Sequence, residues 1–400
     1  MKRIYLDYAS LTPIDPKVLR VMEKYSTSSF ANPSSIYSEG VAAMEALSQA
    51  RQVVADFLHA HNDEIFFTAS GTEANNLALR GVFDLVESLA KATANKANPP
   101  HLIISNIEHS SIGETATALE KIGVAVTRLA VDDRGLIDPA TLKQALRPET
   151  RLVSIMMVNN EIGTVQPLKE LAKVVRQYRQ SRSTDKSFPL LHTDAAQAAI
   201  CHDLNVVSLG VDMMTIDGGK LYGPHGIGAL YVKRGLSLQP VIYGGGQERG
   251  LRSGTENLPG IAGLAEAIRL VMLEQPTEIA RLHDLKLFFG QEFKQIYPEA
   301  SINPRLNIGK DSDEFVDPHI LNISVPNLDK EFFVLQLDAR GVAISTRSSC
   351  LRDAEESYVL QALGLAEPLA LRFSFGRYTK PADLRRVLRV IRDIKGLSQA

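Results

Sequence analysis

The chain has 400 residues, enough for two or three domains around a large core, and 44% of its residues are hydrophobic, as is ordinary for a soluble globular protein. Its formal net charge of −2 excludes a general electrostatic affinity for nucleic acid or for an anionic membrane surface. The N-terminal MKRIYLDYAS has no apolar run behind its two basic residues, so we expect no signal peptide. No segment is long and apolar enough to span a bilayer, and we expect neither a nucleic-acid partner nor a membrane.

Cysteine usage indicates a reducing compartment. The chain contains only Cys201 and Cys350, which are far apart and do not form a C-x-x-C motif. Such sparse cysteines indicate neither a disulfide framework nor a zinc site. We therefore expect a cytoplasmic protein.

A possible anion site lies early in the chain. Residues 1–40 are predicted to be mostly irregular, and apolar residues at helical spacing predict a helix over 40–60. The short strand EIFFT at 64–68 is followed by the small residues 69–72, and the next helix is predicted to begin at Glu73. A strand, a small-residue turn and a helix N-terminus together bind anions through backbone N–H groups and the helix dipole. A plainly capped helix is the alternative.

Further strands alternate with helices and end in polar residues. This alternation predicts a mostly parallel α/β sheet, which binds its ligand at the carboxyl ends of its strands. The strands are predicted at 101–107, 151–158, 189–192 and 212–220. The polar residues at the strand ends are Ser70 to Thr72, His109, Asn159, Asp194 to Gln197, and Lys220.

Lys220 has an unusual setting among these residues. It lies between glycines at the end of an apolar strand, and a second glycine-rich turn and the apolar run 229–232 follow it. Desolvation lowers the pKa of an amine, and an uncharged amine is a nucleophile that forms Schiff bases. The alternative is a lysine whose ammonium group reaches solvent from a loop.

The second half of the chain predicts a smaller α/β domain. We place the domain boundary within 259–274, which gives a large domain over 13–262 and a small domain made of 1–12 and 263–400. A glycine-rich basic loop at 244–255 precedes this boundary. Helices are predicted at 258–274, 279–293, 330–340, 357–363 and 382–394, and strands at 319–325 and 342–345.

The polar strand ends suit a pyridine-ring cofactor with a phosphate tail. Lys220 would bind the aldehyde of such a cofactor, and Asp194 would pair with the ring nitrogen. His109 would lie on the ring face, Gln197 would donate to the ring oxygen, and the turn at 69–72 would hold the phosphate. Each residue also has a plainer alternative, such as a helix N-cap for Asp194 or a hydrogen-bonded histidine at a strand end for His109.

A series of motifs then resembles a known family. In chain order they are YLDYAS, NPSS, TASGTEANNLAL, EH, VNNEIGTVQP, HTDAAQ, GGKLYGPHGIGALYV, GGGQERGLRSGTEN, SSC, SYVLQALG and LRFSFGRYT. The chain resembles the class V aminotransferase-like family of pyridoxal phosphate enzymes, and within it the NifS/IscS-type cysteine desulfurases. The resemblance covers nearly the whole chain. It implies fold type I, with a large domain around a mostly parallel central sheet and a smaller C-terminal α/β domain.

The resemblance also implies a role for each matching residue. Lys220 carries pyridoxal 5'-phosphate, and Cys350 attacks the sulfur of the substrate and carries it as a persulfide. For the cofactor, the resemblance implies that His109 stacks on the ring, that Asp194 and Gln197 contact the ring nitrogen and phenolate, and that Gly71 and Thr72 bind the phosphate. Asn159 would lie beside the cofactor and, with Arg372, bind the substrate carboxylate. Thr255 would reach the phosphate of the neighbouring subunit of a homodimer.

The activity implied is conversion of L-cysteine to L-alanine. The sulfur would pass from Cys350 to an acceptor, either an iron–sulfur scaffold or a tRNA-thiolation protein. One alternative is another enzyme of the family, an aminotransferase or a selenocysteine lyase. A second is a non-catalytic homologue with a binding or regulatory role, because the family's serine and histidine are here Asp217 and Gly219.

The two cysteines are predicted to differ in reactivity. Cys350 lies in a polar segment beside Arg347 and Arg352, and nearby cations favour the reactive thiolate. Cys201 ends the helix-like run AAQAAIC, and we expect it to be structural.

Overall fold

A computed structural model describes residues 3–93, 98–183, 187–304, 315–346, 356–365 and 370–397. In chain order the strands are β1 (Ile4–Tyr5), β2 (Ile65–Thr68), β3 (His101–Ser105), β4 (Ala125–Leu129), β5 (Thr150–Ser154), β6 (Leu190–Asp194), β7 (Met213–Asp217), β8 (Gly228–Val232), β9 (Ser301–Asn303), β10 (Ile320–Ser324), β11 (Val342–Ala343) and β12 (Leu371–Ser374). The helices are α1 (Pro16–Thr27), α2 (Ser38–Leu58), α3 (Gly71–Thr93), α4 (Ser110–Lys121), α5 (Pro139–Ala145), α6 (Leu168–Ser181), α7 (Val206–Leu209), α8 (Leu258–Ile296), α9 (Lys330–Ala339), α10 (Tyr358–Ala362) and α11 (Pro381–Leu397).

A seven-stranded sheet forms the centre of the fold. Its strands lie in the order β2-β8-β7-β6-β5-β3-β4. β8 is antiparallel to both of its neighbours, and the remaining pairs are parallel. Six strands therefore run in one direction, and their carboxyl ends meet at one edge. The prediction of a mostly parallel α/β sheet is confirmed.

Helices cover both faces of this sheet. β3, β5 and β6 are largely or wholly buried, as expected for parallel strands packed on both sides. Leu102 and Ile104 point into an apolar cluster formed with α3 and α4, whereas Ile103 points into the larger cluster on the other face. The alternation of side chains along the strand places successive residues in different cores.

The C-terminal part of the chain forms two smaller sheets. β12, β10 and β9 make an antiparallel three-stranded sheet. β1, near the N-terminus, pairs in parallel with β11. The first residues of the chain therefore join the C-terminal part.

The prediction of two separate helices at 258–274 and 279–293 is wrong. A single helix, α8, runs through both ranges with Pro276 inside it. Proline has no N–H to donate to the carbonyl four residues earlier, which is why the sequence indicates a break. Val271 and Leu282 are nevertheless buried in the same core on either side of Pro276, and this packing stabilises a continuous helix.

The prediction of a mostly irregular segment over 1–40 holds for more than half of these residues, but it missed helix α1. Helix α1 begins directly after Asp15, whose Oδ1 accepts a hydrogen bond from the backbone N–H of Lys17 at 2.8 Å, and Pro16 occupies the first turn. An aspartate N-cap followed by proline is a helix-start signal. Helix α1 packs against α8.

Within the described residues, no helix has the length and apolar character needed to cross a bilayer.

Candidate active site

A cavity of about 290 Å³ lies at the edge where the parallel strands end. Most of the predicted site residues meet there, although they come from separate parts of the chain. The predicted residues that line it are Gly71, Thr72, His109, Asp194, Gln197, Lys220 and Arg372. This is the edge at which open α/β sheets bind their ligands.

Asp194 is the last residue of β6 and is fixed by two neutral donors. Its Oδ2 accepts from Asn75 Nδ2 at 2.7 Å, and its Oδ1 accepts from the backbone N–H of Ala196 at 2.9 Å. Asn75 also donates to Ser111 Oγ at 2.8 Å. The residue is 7% exposed, so a carboxylate lies on the cavity wall in a largely water-free setting. There it can pair with a cationic group of a ligand.

His109 caps the N-terminus of α4 and lies beside Asp194 on the cavity wall. The backbone N–H of Ser111 donates to His109 Nδ1 at 3.2 Å, and Ser111 Oγ lies 2.9 Å from the same nitrogen. Because Nδ1 accepts a hydrogen bond, the neutral ring carries its proton on Nε2. These contacts fix the plane of the imidazole.

Lys220 lies in a short 3-10 turn, three residues beyond the end of β7. Its Nζ donates to the backbone carbonyls of Ala9 at 2.9 Å and Ser10 at 2.5 Å. Gln197 Nε2 donates to the same Ala9 carbonyl at 2.8 Å. Thr12 holds this segment in place, since its N–H and its hydroxyl both donate to the carbonyl of Gly219 at 3.0 Å. The amine is therefore positioned by the N-terminal segment.

Arg372 is buried on β12 and presents its guanidinium to the cavity. Nη1 donates to the carbonyl of Asn160 at 2.8 Å, and Nη2 donates to Asp7 Oδ1 at 2.9 Å and Ser10 Oγ at 2.6 Å. Its Nε has no hydrogen-bond partner among the described residues. A guanidinium at the cavity wall suits a carboxylate ligand.

The structure does not bring Asn159 to the cavity. Its side chain is completely buried, Nδ2 donates to the carbonyl of Ile107 at 3.0 Å, and Oδ1 accepts from the N–H groups of Glu161 at 2.9 Å and Ile162 at 3.0 Å. These bonds hold the turn together. The next residue, Asn160, lines the cavity instead.

Two further predicted residues, Thr255 and Cys350, are not among the described residues that line this cavity. Thr255 lines a second cavity of about 220 Å³, and Gly226 is common to both cavities. Cys350 lies outside the described residues, as do its neighbours Arg347 and Arg352. Cys201 is buried, and burial raises the pKa of its thiol well above the usual range.

The phosphate end of the predicted cofactor site carries an unexpected group. Helix α3 begins at Gly71, whose N–H donates to Asp217 Oδ2 at 2.7 Å, and the N–H of Gly219 donates to Asp217 Oδ1 at 2.8 Å. A carboxylate of the chain itself thus lies at the predicted phosphate position. The residues at the ring end fit pyridoxal phosphate, and at the other end this carboxylate would compete with the phosphate group for the N–H of Gly71.

Sequence reasoning missed several residues on or behind the cavity wall. Asn75 could have been found from its position one helical turn after Gly71, which puts both residues on the same face of α3. His225, in the turn after Lys220, lines the cavity and lies 3.1 Å from the carbonyl of Thr12 through Nε2. No local pattern indicated Ser10, because the N-terminal segment reaches the cavity only through the tertiary fold.

Glu108 is a buried carboxyl directly behind His109. Oε1 accepts from Ser105 Oγ at 2.5 Å and from the N–H of Met156 at 3.0 Å, while Oε2 has no hydrogen-bond partner among the described residues. Burial raises the pKa of Glu108 to about 8, although the bonds from Ser105 and Met156 act in the opposite direction, and the nearby Asp194 raises it further. Near neutral pH this carboxyl is therefore largely protonated.

Glu108 should make the stability of the protein fall as pH rises. Between about pH 4.5 and pH 8 the folded state binds a proton that the unfolded state has released, so the free energy of unfolding decreases through this window and is level above it. Glu108→Gln cannot ionise. Between pH 5 and pH 8.5, we therefore expect the free energy of unfolding of the wild type to fall by up to about 4 kcal/mol relative to that of Glu108→Gln. Denaturant unfolding at both pH values tests this, and an identical pH dependence in the two proteins would contradict it.

The fold and this cavity define the class of the protein. It belongs to the aminotransferase class-V family, whose model matches residues 4–387. The resemblance found in the sequence and the predicted fold type I are both confirmed. Among its relatives, a cysteine desulfurase IscS of Dictyoglomus turgidum is 40% identical over 399 residues, covering 98% of this chain and 95% of the relative. A cysteine desulfurase IscS of Methanosarcina thermophila is 36% identical over 397 residues, covering 98% and 92%.

Solved structures with similar folds are consistent with this family. A NifS-like protein superimposes with a TM-score of 0.87 at 30% identity, covering 99% of this chain and all of that one. A structure of SspA in complex with cysteine superimposes with a TM-score of 0.76 at 36% identity, covering 94% of this chain and all of that one. The whole fold is thus shared with proteins of the NifS group.

Proposed function

We propose that this chain is a pyridoxal phosphate-dependent cysteine desulfurase that converts L-cysteine to L-alanine and transfers the sulfur to Cys350. The observation that carries the proposal is the convergence of Asp194, Lys220 and Arg372 on one cavity. A carboxylate, an amine and a guanidinium there match a pyridine nitrogen, an aldehyde and an amino-acid carboxylate. The relatives named cysteine desulfurase, and SspA with its bound cysteine, support the choice of substrate.

Four residues would hold the cofactor ring. Lys220 would bond to the aldehyde, Asp194 would pair with the ring nitrogen, Gln197 would donate to the ring oxygen, and His109 would lie on the ring face. When bound, the cofactor withdraws electrons from the α-carbon of an amino acid. Asp194 would keep the ring nitrogen protonated most effectively where water is excluded, and it is 7% exposed.

Lys220 would also move protons. Its Nζ is held at the cavity wall by the carbonyls of Ala9 and Ser10. An amine in this position can take a proton from the substrate and return it. His109, held by Ser111, is a second group that can move a proton at the ring face.

Arg372 should bind the substrate carboxylate. Arg372 is buried and lines the cavity, where it is a fixed positive charge. Arg372→Lys keeps the charge and loses the planar fork. Loss of one charge-assisted hydrogen bond costs about 1.5–3 kcal/mol, so we expect KM for L-cysteine to rise about 10- to 100-fold. Steady-state kinetics measure this, and a KM within twofold of the wild type would contradict the role.

The sulfur transfer balances without an external oxidant. The C–S bond of cysteine breaks, an S–S bond forms to Cys350, and the substrate carbon becomes the methyl group of alanine. The substrate sulfur is oxidised to the persulfide level while that carbon is reduced. The described residues that flank the Cys350 segment support its role: Ser345 pairs with Arg372 through the backbone, and Ser357 Oγ donates to Glu161, next to the cavity residue Asn160.

We further propose a cytoplasmic homodimer in which Thr255 completes the phosphate site of the neighbouring subunit. Thr255 lies in the cavity that shares Gly226 with the main one. Nearby apolar side chains are exposed, including Tyr243 at 75% and Met44 at 44%. A dimer interface would bury such side chains. The sulfur acceptor would be an iron–sulfur scaffold or a thiolation protein.

We propose the same division into two domains that the sequence predicts. The large domain would comprise residues 13–262, and the small domain 1–12 with 263–400. Pairing of β1 with β11 supports the assignment of the first residues to the small domain. The boundary then falls inside α8, which would connect the two domains rigidly.

A non-catalytic homologue is the second candidate, favoured by one observation. The Asp217 carboxylate bonds to the N–H of Gly71 where the cofactor phosphate is predicted. Reconstitution decides between the two candidates, because a protein that binds the cofactor through Lys220 absorbs visible light. A protein that stays colourless after incubation with pyridoxal phosphate would favour the non-catalytic homologue. If amino-group transfer to an oxo acid, or cleavage of selenocysteine alone, is observed instead of cysteine cleavage, the protein is another enzyme of the family.

A further inference from the structure

We propose that Asp217 acts as an internal anion that occupies the phosphate position, so that every phosphate-bearing ligand must displace its carboxylate. Asp217 thereby sets how strongly the site prefers pyridoxal phosphate to pyridoxal, which has the same ring and aldehyde without the phosphate. The identity of the ligands rests on the proposed function. The competition between the carboxylate and a phosphate rests on the geometry of the chain.

The carboxylate is held at both of its oxygens. Oδ2 accepts from the N–H of Gly71 at 2.7 Å, and Oδ1 accepts from the N–H of Gly219 at 2.8 Å. Both distances are short, as is typical of hydrogen bonds to a charged group. One bond reaches the start of α3 and the other reaches the turn that carries Lys220. Asp217 therefore links the anion-binding helix to the lysine turn.

The carboxylate and a phosphate cannot both use the first N–H of α3. Asp217 Oδ2 already accepts from this N–H at 2.7 Å. The helix spans 23 residues, and the positive end of its dipole attracts one anion at this position. Asp217 supplies that anion from within the chain.

A bound phosphate would also face a like charge. Two negative groups a few ångströms apart repel each other, and they do so more strongly at the effective dielectric of a protein surface than in water. Both hydrogen bonds of Asp217 come from neutral backbone N–H groups, which do not cancel its charge. Removal of this charge should therefore tighten the binding of phosphate-bearing ligands about tenfold or more.

The test compares the apoprotein with its Asp217→Asn variant. Asparagine has the same shape, keeps an oxygen for the N–H of Gly219 and carries no charge. Calorimetry measures binding of inorganic phosphate, and absorbance titration measures binding of pyridoxal phosphate and of pyridoxal. Glu114→Gln, at an exposed position on α4, removes the same charge from a side chain that does not line the cavity and serves as the matched control.

The expected result is selective. Asp217→Asn should bind inorganic phosphate and pyridoxal phosphate at least about tenfold more tightly, with pyridoxal binding within twofold of wild type and Glu114→Gln unchanged. A folded variant that binds phosphate no more tightly than the wild type would overturn the proposal. Asp217→Ser provides the same comparison if the asparagine variant does not fold. If phosphate binding tightens while neither protein binds pyridoxal phosphate at Lys220, the proposed function fails and the inference about Asp217 stands.

Discussion

Replacement of Lys220 with alanine should abolish both the visible absorbance of the cofactor-loaded protein and cysteine turnover. In the proposed mechanism the amine of Lys220 is the nucleophile, and the carbonyls of Ala9 and Ser10 hold it at the cavity wall. Alanine would remove the proposed covalent link to the cofactor and the group proposed to move protons. Loss of a general acid–base group alone lowers rates by about 10²- to 10⁴-fold, so we expect a loss of at least about 10³-fold in alanine formation.

Absorbance spectra and alanine quantification measure the two effects. Lys173→Ala is the matched control, because this lysine is exposed on α6 and away from the cavity. The control should keep the spectrum and the rate of the wild type. A Lys220→Ala protein that keeps both would show that another group binds the cofactor.

The second large effect is expected at Cys350. Cys350→Ala should bind the cofactor and L-cysteine normally but form no enzyme persulfide, and sulfur release should fall about 100-fold or more, within the range expected for loss of a covalent nucleophile. Only the thiolate form of a cysteine attacks sulfur efficiently. The spectrum of the bound cofactor should therefore separate this variant from Lys220→Ala.

Cys201→Ala is the internal control for the persulfide. Burial raises the pKa of the Cys201 thiol well above its usual range, so this thiol stays protonated and unreactive. Mass spectrometry after incubation with L-cysteine should find the additional sulfur on Cys350 in wild type and in Cys201→Ala. Wild-type rates of sulfur release from Cys350→Ala would contradict the assigned role.

The meeting of His109, Asp194 and Lys220 at one cavity was predictable because parallel strands follow a simple spatial rule. β3, β6 and β7 run in the same direction, so residues that closely follow each strand gather at one edge of the sheet. His109, Asp194 and Lys220 satisfy this rule although more than a hundred residues separate the first from the last. Correct assignment of the strands and of the turns that follow them was therefore enough to predict that these three residues lie together.

Residues whose orientation depends on a turn were harder to predict. Asn159 and Asn160 are adjacent, and the sequence does not show which side chain faces the cavity. The turn points Asn159 inward, where the N–H groups of Glu161 and Ile162 bond to it. Asn160 is then left facing the cavity.

Local sequence patterns could not predict contacts between residues that are far apart in the sequence. Ala9 and Ser10 reach Lys220 across more than 200 positions. The continuity of α8 through Pro276 depends on packing at Val271 and Leu282. In the case of Asp217, the sequence indicated a conflict with a phosphate, and the structure shows its physical form as two hydrogen bonds from backbone N–H groups.

The most direct test of cysteine desulfurase activity is a product balance. The purified protein, loaded with pyridoxal phosphate, is incubated with L-cysteine and a reductant, and alanine and released sulfide are quantified over time. Desulfurase chemistry predicts alanine and sulfide in equal amounts, over many turnovers per Lys220 site. A protein that shows the visible absorbance of bound cofactor but forms no alanine from L-cysteine would contradict it.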